Sequence, residues 1–195
     1  MRNFLVLIQS LNIILVMKKL LFAVGSAYTA FLVFLLIGLD QLICKFMPLA
    51  NNQGFVYVAF IAWAVYFFSG ATLKGGIKAA IGYGYGIVFS ILIMLLARVF
   101  SSTGFFAVPL GAMVVIFFVL YLEKVPWFDL LPASFVAAGC FFGIMTYVVP
   151  SSMSLSEKFC TATTIEIIYG PLGLLWGWFT IAGRGVLEKM ITKKK

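Results

Sequence analysis

Six stretches of this sequence, 20–39, 55–70, 77–97, 104–122, 130–149 and 162–182, are made almost wholly of apolar residues. A helix of about 20 such residues crosses the hydrocarbon layer of a membrane. The connections between the stretches are short, too short to hold a second domain. The expected fold is all-α: a polytopic membrane protein with six transmembrane helices in a single domain, 17–195. Composition agrees, because the chain is 64% hydrophobic and only 10% charged. A soluble domain of this length is about half apolar and a quarter charged, so this chain lacks the polar surface to coat a globule. Residues 1–16 precede the first run as an N-terminal extension, expected to lie along the interface as a helix. Lys18, Lys19 and the run after them resemble a secretory signal. No small-residue cleavage site precedes Asp40, however, and the run is long enough to span, so a retained helix is expected.

The charges supply a topology. With the N-terminus cytoplasmic and six alternating helices, eleven basic residues fall inside: Arg2, Lys18, Lys19, Lys74, Lys78, Lys124, Arg184, Lys189, Lys193, Lys194 and Lys195. Only three, Lys45, Arg98 and Lys158, fall outside. Cytoplasmic loops are enriched in Lys and Arg, so both termini are expected inside. The net charge of +8 is then read as anchoring to an anionic lipid surface rather than to nucleic acid. The expected location is the cytoplasmic membrane of a bacterium, crossed several times.

Several chemistries are excluded by what the chain lacks. It has no histidine, and so neither the commonest metal ligand nor the commonest general base. Its three cysteines, Cys44, Cys140 and Cys160, are far apart, with no C-x-x-C pair. Six acidic residues are scattered along the chain, and none forms a nucleophile-and-base constellation. The glycines of "GGIKAAIGYGYG" miss the spacing of a phosphate loop. No cofactor, no metal and no enzymatic activity are expected.

Helices in lipid associate through small residues. Gly82-x-x-x-Gly86 in the third run and Gly139-x-x-x-Gly143 in the fifth are expected to pack against neighbours. The sixth run is the most informative. At about 100° per residue, Thr163, Glu166, Gly170, Gly173, Gly177 and Thr180 fall on one face. Glu166 lies about four residues inside the outer end of the run, roughly 6 Å at 1.5 Å per residue, which argues against a mid-membrane proton relay. Two readings stand. Glu166 lines an outer vestibule on a solute path with Thr163, Gly170, Pro171, Gly173 and Gly177, or it forms a buried ion pair with Arg98 or Lys158. Pro171 lacks a backbone donor and crowds the carbonyl of Ile167, so a kink is expected near Gly170. Pro109 is a similar candidate in the fourth run. Asp129 is expected to pair with Lys78 or Lys124 at the inner surface, while Asp40 and Arg98 are placed at interface depth.

The stretches "WAVYFFSGATLKGGIKAAIGYGYG" and "LLPASFVAAGCFFG" resemble the YcdZ-like family of small bacterial inner-membrane proteins, a domain of unknown function. The features are Trp63-Ala64, the aromatics to Phe68, Gly75-Gly76 with nearby lysines, and Pro132 with Phe135 running to Gly139; together they cover 54–146. The resemblance implies a bacterial inner-membrane protein and carries no activity and no catalytic residues. The function expected from the residues themselves is a channel or facilitator for a small neutral or weakly charged polar solute. The alternative is a non-transporting membrane subunit or assembly partner. The expected partners are the lipid bilayer, a small-molecule solute and further copies of the chain as a homo-oligomer.

Overall fold

The computed structural model describes residues 2–46 and 54–193, with side chains described from residue 15 onward. Arg2, Lys194 and Lys195, used above in the charge count, lie outside the described side chains. Among the described residues every regular element is helical: α1 (Arg2–Ile43), α2 (Val56–Phe68), α3 (Leu73–Val99), α4 (Ala107–Val119), α5 (Leu131–Gly143) and α6 (Leu155–Thr192), with short 3-10 and π turns between or after them. Five helical stretches are long and apolar enough to cross a membrane. The second apolar run differs from expectation. Its helix has 13 residues, which at 1.5 Å each make about 20 Å against a hydrocarbon layer of about 30 Å.

Residues 2–16 lie in the same unbroken helix as the first apolar run. The fifth run ends in a π turn at Ile144–Val148. The fourth begins in a 3-10 turn, Ser101–Phe106, bent at Gly104 with φ 58°. Pro109 therefore sits in the first turn of α4, where no backbone donor is needed, and has no kink to impose.

The described chain forms two compact units, one made of α1 up to Leu39 with α6 from Phe179, the other running from Asp40 to Trp178. In the first unit the Tyr28 hydroxyl donates to the carbonyl of Phe179 at 2.9 Å. The Tyr28 ring lies directly on Gly183, and the Arg184 guanidinium lies on Gly25. Any larger side chain at either glycine would meet these groups.

The second unit is built on α3. Gly82 faces Ala133, and Gly86 faces Ser134 and Ala137; a Cβ at Gly86 would stand 2.6 Å from the Ser134 carbonyl. Such small-residue seams let backbones approach closely in lipid. The buried hydroxyls on this seam bond within their own helices, Ser90 to the carbonyl of Gly86 at 2.8 Å and Ser134 to that of Leu131 at 2.7 Å. The small face of α5 is thus Ala133, Ser134 and Ala137. This corrects the expectation for Gly139 and Gly143, where an added Cβ would meet nothing within 4 Å. On its other side α3 receives α4, with Gly111 against the backbone of Ile93 and Ala97.

A tight turn joins α2 to α3. Gly70 and Ala71 have positive φ, 88° and 52°, and Thr72 caps α3 by accepting the Gly75 N–H at 3.0 Å. Outward-facing residues of α4 such as Met113, Phe117 and Phe118 are 58–65% exposed. An apolar surface of this kind is what lipid covers, and the chain is an integral membrane protein by its helices.

Candidate functional site

Helix α3 provides a ruler for depth. Lys78 and Arg98 are twenty positions apart with no charge between them, about 30 Å along a helix, the thickness of a bilayer core. Helix α6 runs antiparallel beside it. Arg98 meets Leu155, Ser156 and Phe159 around one cavity. The Tyr83 ring lies against Gly170, 3.0 Å from a Cβ built there. Leu73, Gly76, Ile77 and Ala80 share a groove with Pro171, Leu174, Leu175 and Trp178.

On that scale Glu166 is deep. It lies eleven positions into α6, about 17 Å from the helix start. It is also one turn from Gly170 toward the Arg98 end, close to the midpoint between Lys78 and Arg98. The expected depth of four residues assumed a helix beginning near 162, whereas α6 begins at Leu155. Along α6 the carboxyl thus lies eleven residues from the helix start rather than four.

Glu166 is 1% exposed, and neither carboxylate oxygen has a hydrogen-bond partner. The expected ion pair is absent: Arg98 is exposed beside Ser156 at the end of the bundle, ten positions of α6 away. Lys158 is two turns distant on the same helix. An ionised carboxylate buried without a partner costs several kcal/mol, so this group requires a proton or a bound donor. Tyr83 Oη and Trp63 Nε1 are likewise buried without a partner. Tyr57, Tyr83 and Cys140 lie within electrostatic range of Glu166. The site therefore draws on α2, α3, α5 and α6.

The other residues expected on this path have different surroundings. Thr163 is half-buried, three residues before Glu166 on α6. Gly170 seats the Tyr83 ring. Gly173 faces the Ala59 carbonyl and Ala62, and Gly177 faces the Tyr66 side chain at 2.5–2.7 Å from an added Cβ. These last two glycines hold α2 against α6, and their face is filled. Pro171 is exposed at the groove on the far side, and α6 continues through it as one helix.

Asp40 is the residue that sequence reasoning misplaced most. It is 2% exposed rather than interfacial. Its Oδ1 accepts the Phe55 N–H at 2.9 Å and the Tyr169 hydroxyl at 2.6 Å. Gly54 packs directly on its carboxylate. Phe55 is the residue at which α2 starts, so Asp40 answers the positive end of that helix. Because Ala59 sits beside Gly173, the start of α2 lies inside the protein, near the level of Tyr169. The signal available in the sequence was a short second run preceded by an acid.

At the Lys78 end, Lys78 Nζ bonds Asp129 Oδ2 at 2.5 Å, as expected. Lys74, Lys124 and Trp127 line the same cavity, of about 280 Å³. The Lys78 ammonium holds the Asp129 carboxyl below the usual carboxylate range. Among the described residues no cluster of His, Cys, Asp and Glu is arranged to hold a metal.

Neither the curated proteins nor the solved structures contain a match to this chain. The model of one protein family, described as a protein of unknown function (DUF1097), matches residues 29–172. That span includes α2 to α5 and the site around Glu166, and the chain belongs to this family of unknown function.

Proposed function

We propose that the protein is a facilitator for small polar solutes in the cytoplasmic membrane of a bacterium, with Glu166 as the solute-contacting group. The supporting observation is that both Glu166 oxygens are buried, unpartnered and midway along the charge-free length of α3. Ionisable groups held within a membrane commonly mark substrate or ion pathways. The short α2, beginning inside the protein beside a capping carboxylate, has the form of the broken helices from which transporter sites are built. Six passes with both termini inside remain our reading, with α2 as a short pass, because Lys74, Lys78 and Lys124 gather at one end of the second unit.

We read the protein as non-enzymatic because its sequence holds no histidine and no nucleophile-and-base constellation. The test is flux of urea, acetamide, glycerol and methylammonium into proteoliposomes. Glu166→Gln should abolish the flux while leaving monodisperse protein. Flux unchanged by this substitution, or absent for every solute, would sink the reading.

A second reading, a non-transporting assembly partner, draws on one observation. Gly139 is exposed and Gly143 has open space around it on the outside of α5, a face able to receive a helix of another subunit or of a second copy in a homo-oligomer.

A further inference from the structure

The groups near Glu166, with the Tyr83 ring seated on Gly170 one turn away, define what it can hold. Tyr57 comes from the first turn of α2, Tyr83 from α3 and Cys140 from α5, all within electrostatic range of its carboxyl. On α6 itself, Tyr169 is turned to Asp40, and Asp40 is engaged with Tyr169 and Phe55. The positive end of α2 is thereby answered by Asp40 and makes no claim on Glu166. No lysine or arginine is among these groups, since Lys78 and Arg98 stand at the two ends of α3. The only formal charge the site can carry is negative.

That composition excludes an anion. It also suits a bare metal ion poorly, since hard cations take about six oxygen ligands and the site offers two carboxylate oxygens, phenols and a thiol. An ammonium group fits each element. Its N–H donors match the two orphaned Glu166 oxygens and the lone pairs of Tyr83 Oη, all of which lack partners. Tyrosine ring faces attract such cations. Tyr57 is 39% exposed, unlike Glu166 and Tyr83.

Building on the transport reading, we propose that Glu166 and Tyr83, with Tyr57 nearby, bind ammonium or a small primary alkylammonium ion in exchange for a proton. In the empty site the carboxyl is neutral. On binding, its O–H bond breaks, the oxygen keeps the electron pair, and the proton leaves to water. The incoming cation keeps all its N–H bonds and pairs with the carboxylate. The charge of the site, counted with its ligand, does not change.

The test is infrared difference spectroscopy of the full chain in nanodiscs at neutral pH. Methylammonium chloride is added, with sodium chloride at equal ionic strength as the control. The expected result is loss of a protonated-carboxyl band and release of a proton, saturable with methylammonium and absent in Glu166→Gln. Tyr83→Phe removes one hydrogen bond to a charged group and should weaken the half-saturation concentration about tenfold. Glu166→Asp should retain the band change at weaker affinity. No band change in the wild-type protein overturns the inference, even where a neutral solute crosses the vesicles. A band change that persists in Glu166→Gln overturns it as well. A Glu166-dependent band change without any flux supports the site and refutes the transport reading alone.

Discussion

The Tyr169 hydroxyl donates to Asp40 Oδ1 at 2.6 Å, and three residues earlier on the same helix Glu166 has no partner at all. Two carboxyl groups are thus buried in one unit under opposite conditions. Asp40 is satisfied by a phenol and a backbone amide and ties α1, α2 and α6 together. Glu166 is left open. The first arrangement is structural, and the second leaves a group free to bind.

Removing Asp40 should therefore damage the fold. Asp40→Ala strands the Phe55 N–H and the Tyr169 hydroxyl, and each buried polar group left without its partner costs about 1–3 kcal/mol. A loss of about 3 kcal/mol or more is expected in detergent unfolding followed by tryptophan fluorescence. Tyr169→Phe leaves Asp40 bonded to Phe55 and should cost about half as much. Equal stability for Asp40→Ala and wild type would remove Asp40 from its capping role.

The glycines should separate by neighbour rather than by spacing. At Gly86 and Gly173 a side chain runs into the backbone of Ser134 and Ala59. Gly86→Val and Gly173→Val should each cost about 1–3 kcal/mol through overpacking. Gly139→Ala meets nothing within 4 Å and should be neutral or stabilising by up to about 1 kcal/mol, the helix-propensity difference. Thermal midpoints of the purified variants decide this, and a Gly139→Ala protein less stable than Gly86→Val would contradict it.

The Lys78–Asp129 pair should respond to pH and salt. Lys78 lowers the folded-state value of Asp129, so the pair's contribution is present above the ordinary carboxylate value and is lost as pH falls through the folded one. The difference in thermal midpoint between wild type and Asp129→Asn should be small at neutral pH and vanish in acid. It should also shrink in 1 M salt, where the screening length is about 3 Å. A difference that grows in acid would show another cause.

Thiol labelling should rank the cysteines. Cys160, near the start of α6, is exposed, whereas Cys44 and Cys140 are buried. A maleimide should label the folded protein once, and Cys160→Ser should abolish the fast phase. In intact cells a membrane-impermeant reagent should reach a cysteine introduced by Ser152→Cys, at an exposed position before α6, from outside if the termini are cytoplasmic. Protection of that cysteine in cells, with labelling only after lysis, would reverse the proposed orientation.

Where the sequence predicted well, local physics was enough. An apolar run in lipid must form a helix to satisfy its own backbone, so α1, α3, α4, α5 and α6 were legible from composition. The Lys78–Asp129 pair followed from two charges at run ends, and the face shared by Glu166, Gly170 and Gly173 from helical spacing. Where prediction failed, the missing quantity was position relative to other helices. The polar residues before 162 hid the true start of α6, and with it the depth of Glu166. Gly139 and Gly143 have the same spacing as Gly82 and Gly86, yet only the second pair has a helix against it.

By itself the sequence determined the medium, the helical class and the face on which Glu166 lies, because these depend on the side chains of one segment and its own backbone. The tertiary structure decided which carboxylate is satisfied and which is open. Asp40 is bonded because Tyr169 and Phe55, 129 and 15 residues away in the chain, converge on it. Glu166 is unpartnered because α2, α3 and α5 surround it with aromatic rings and a thiol and bring no cation within reach.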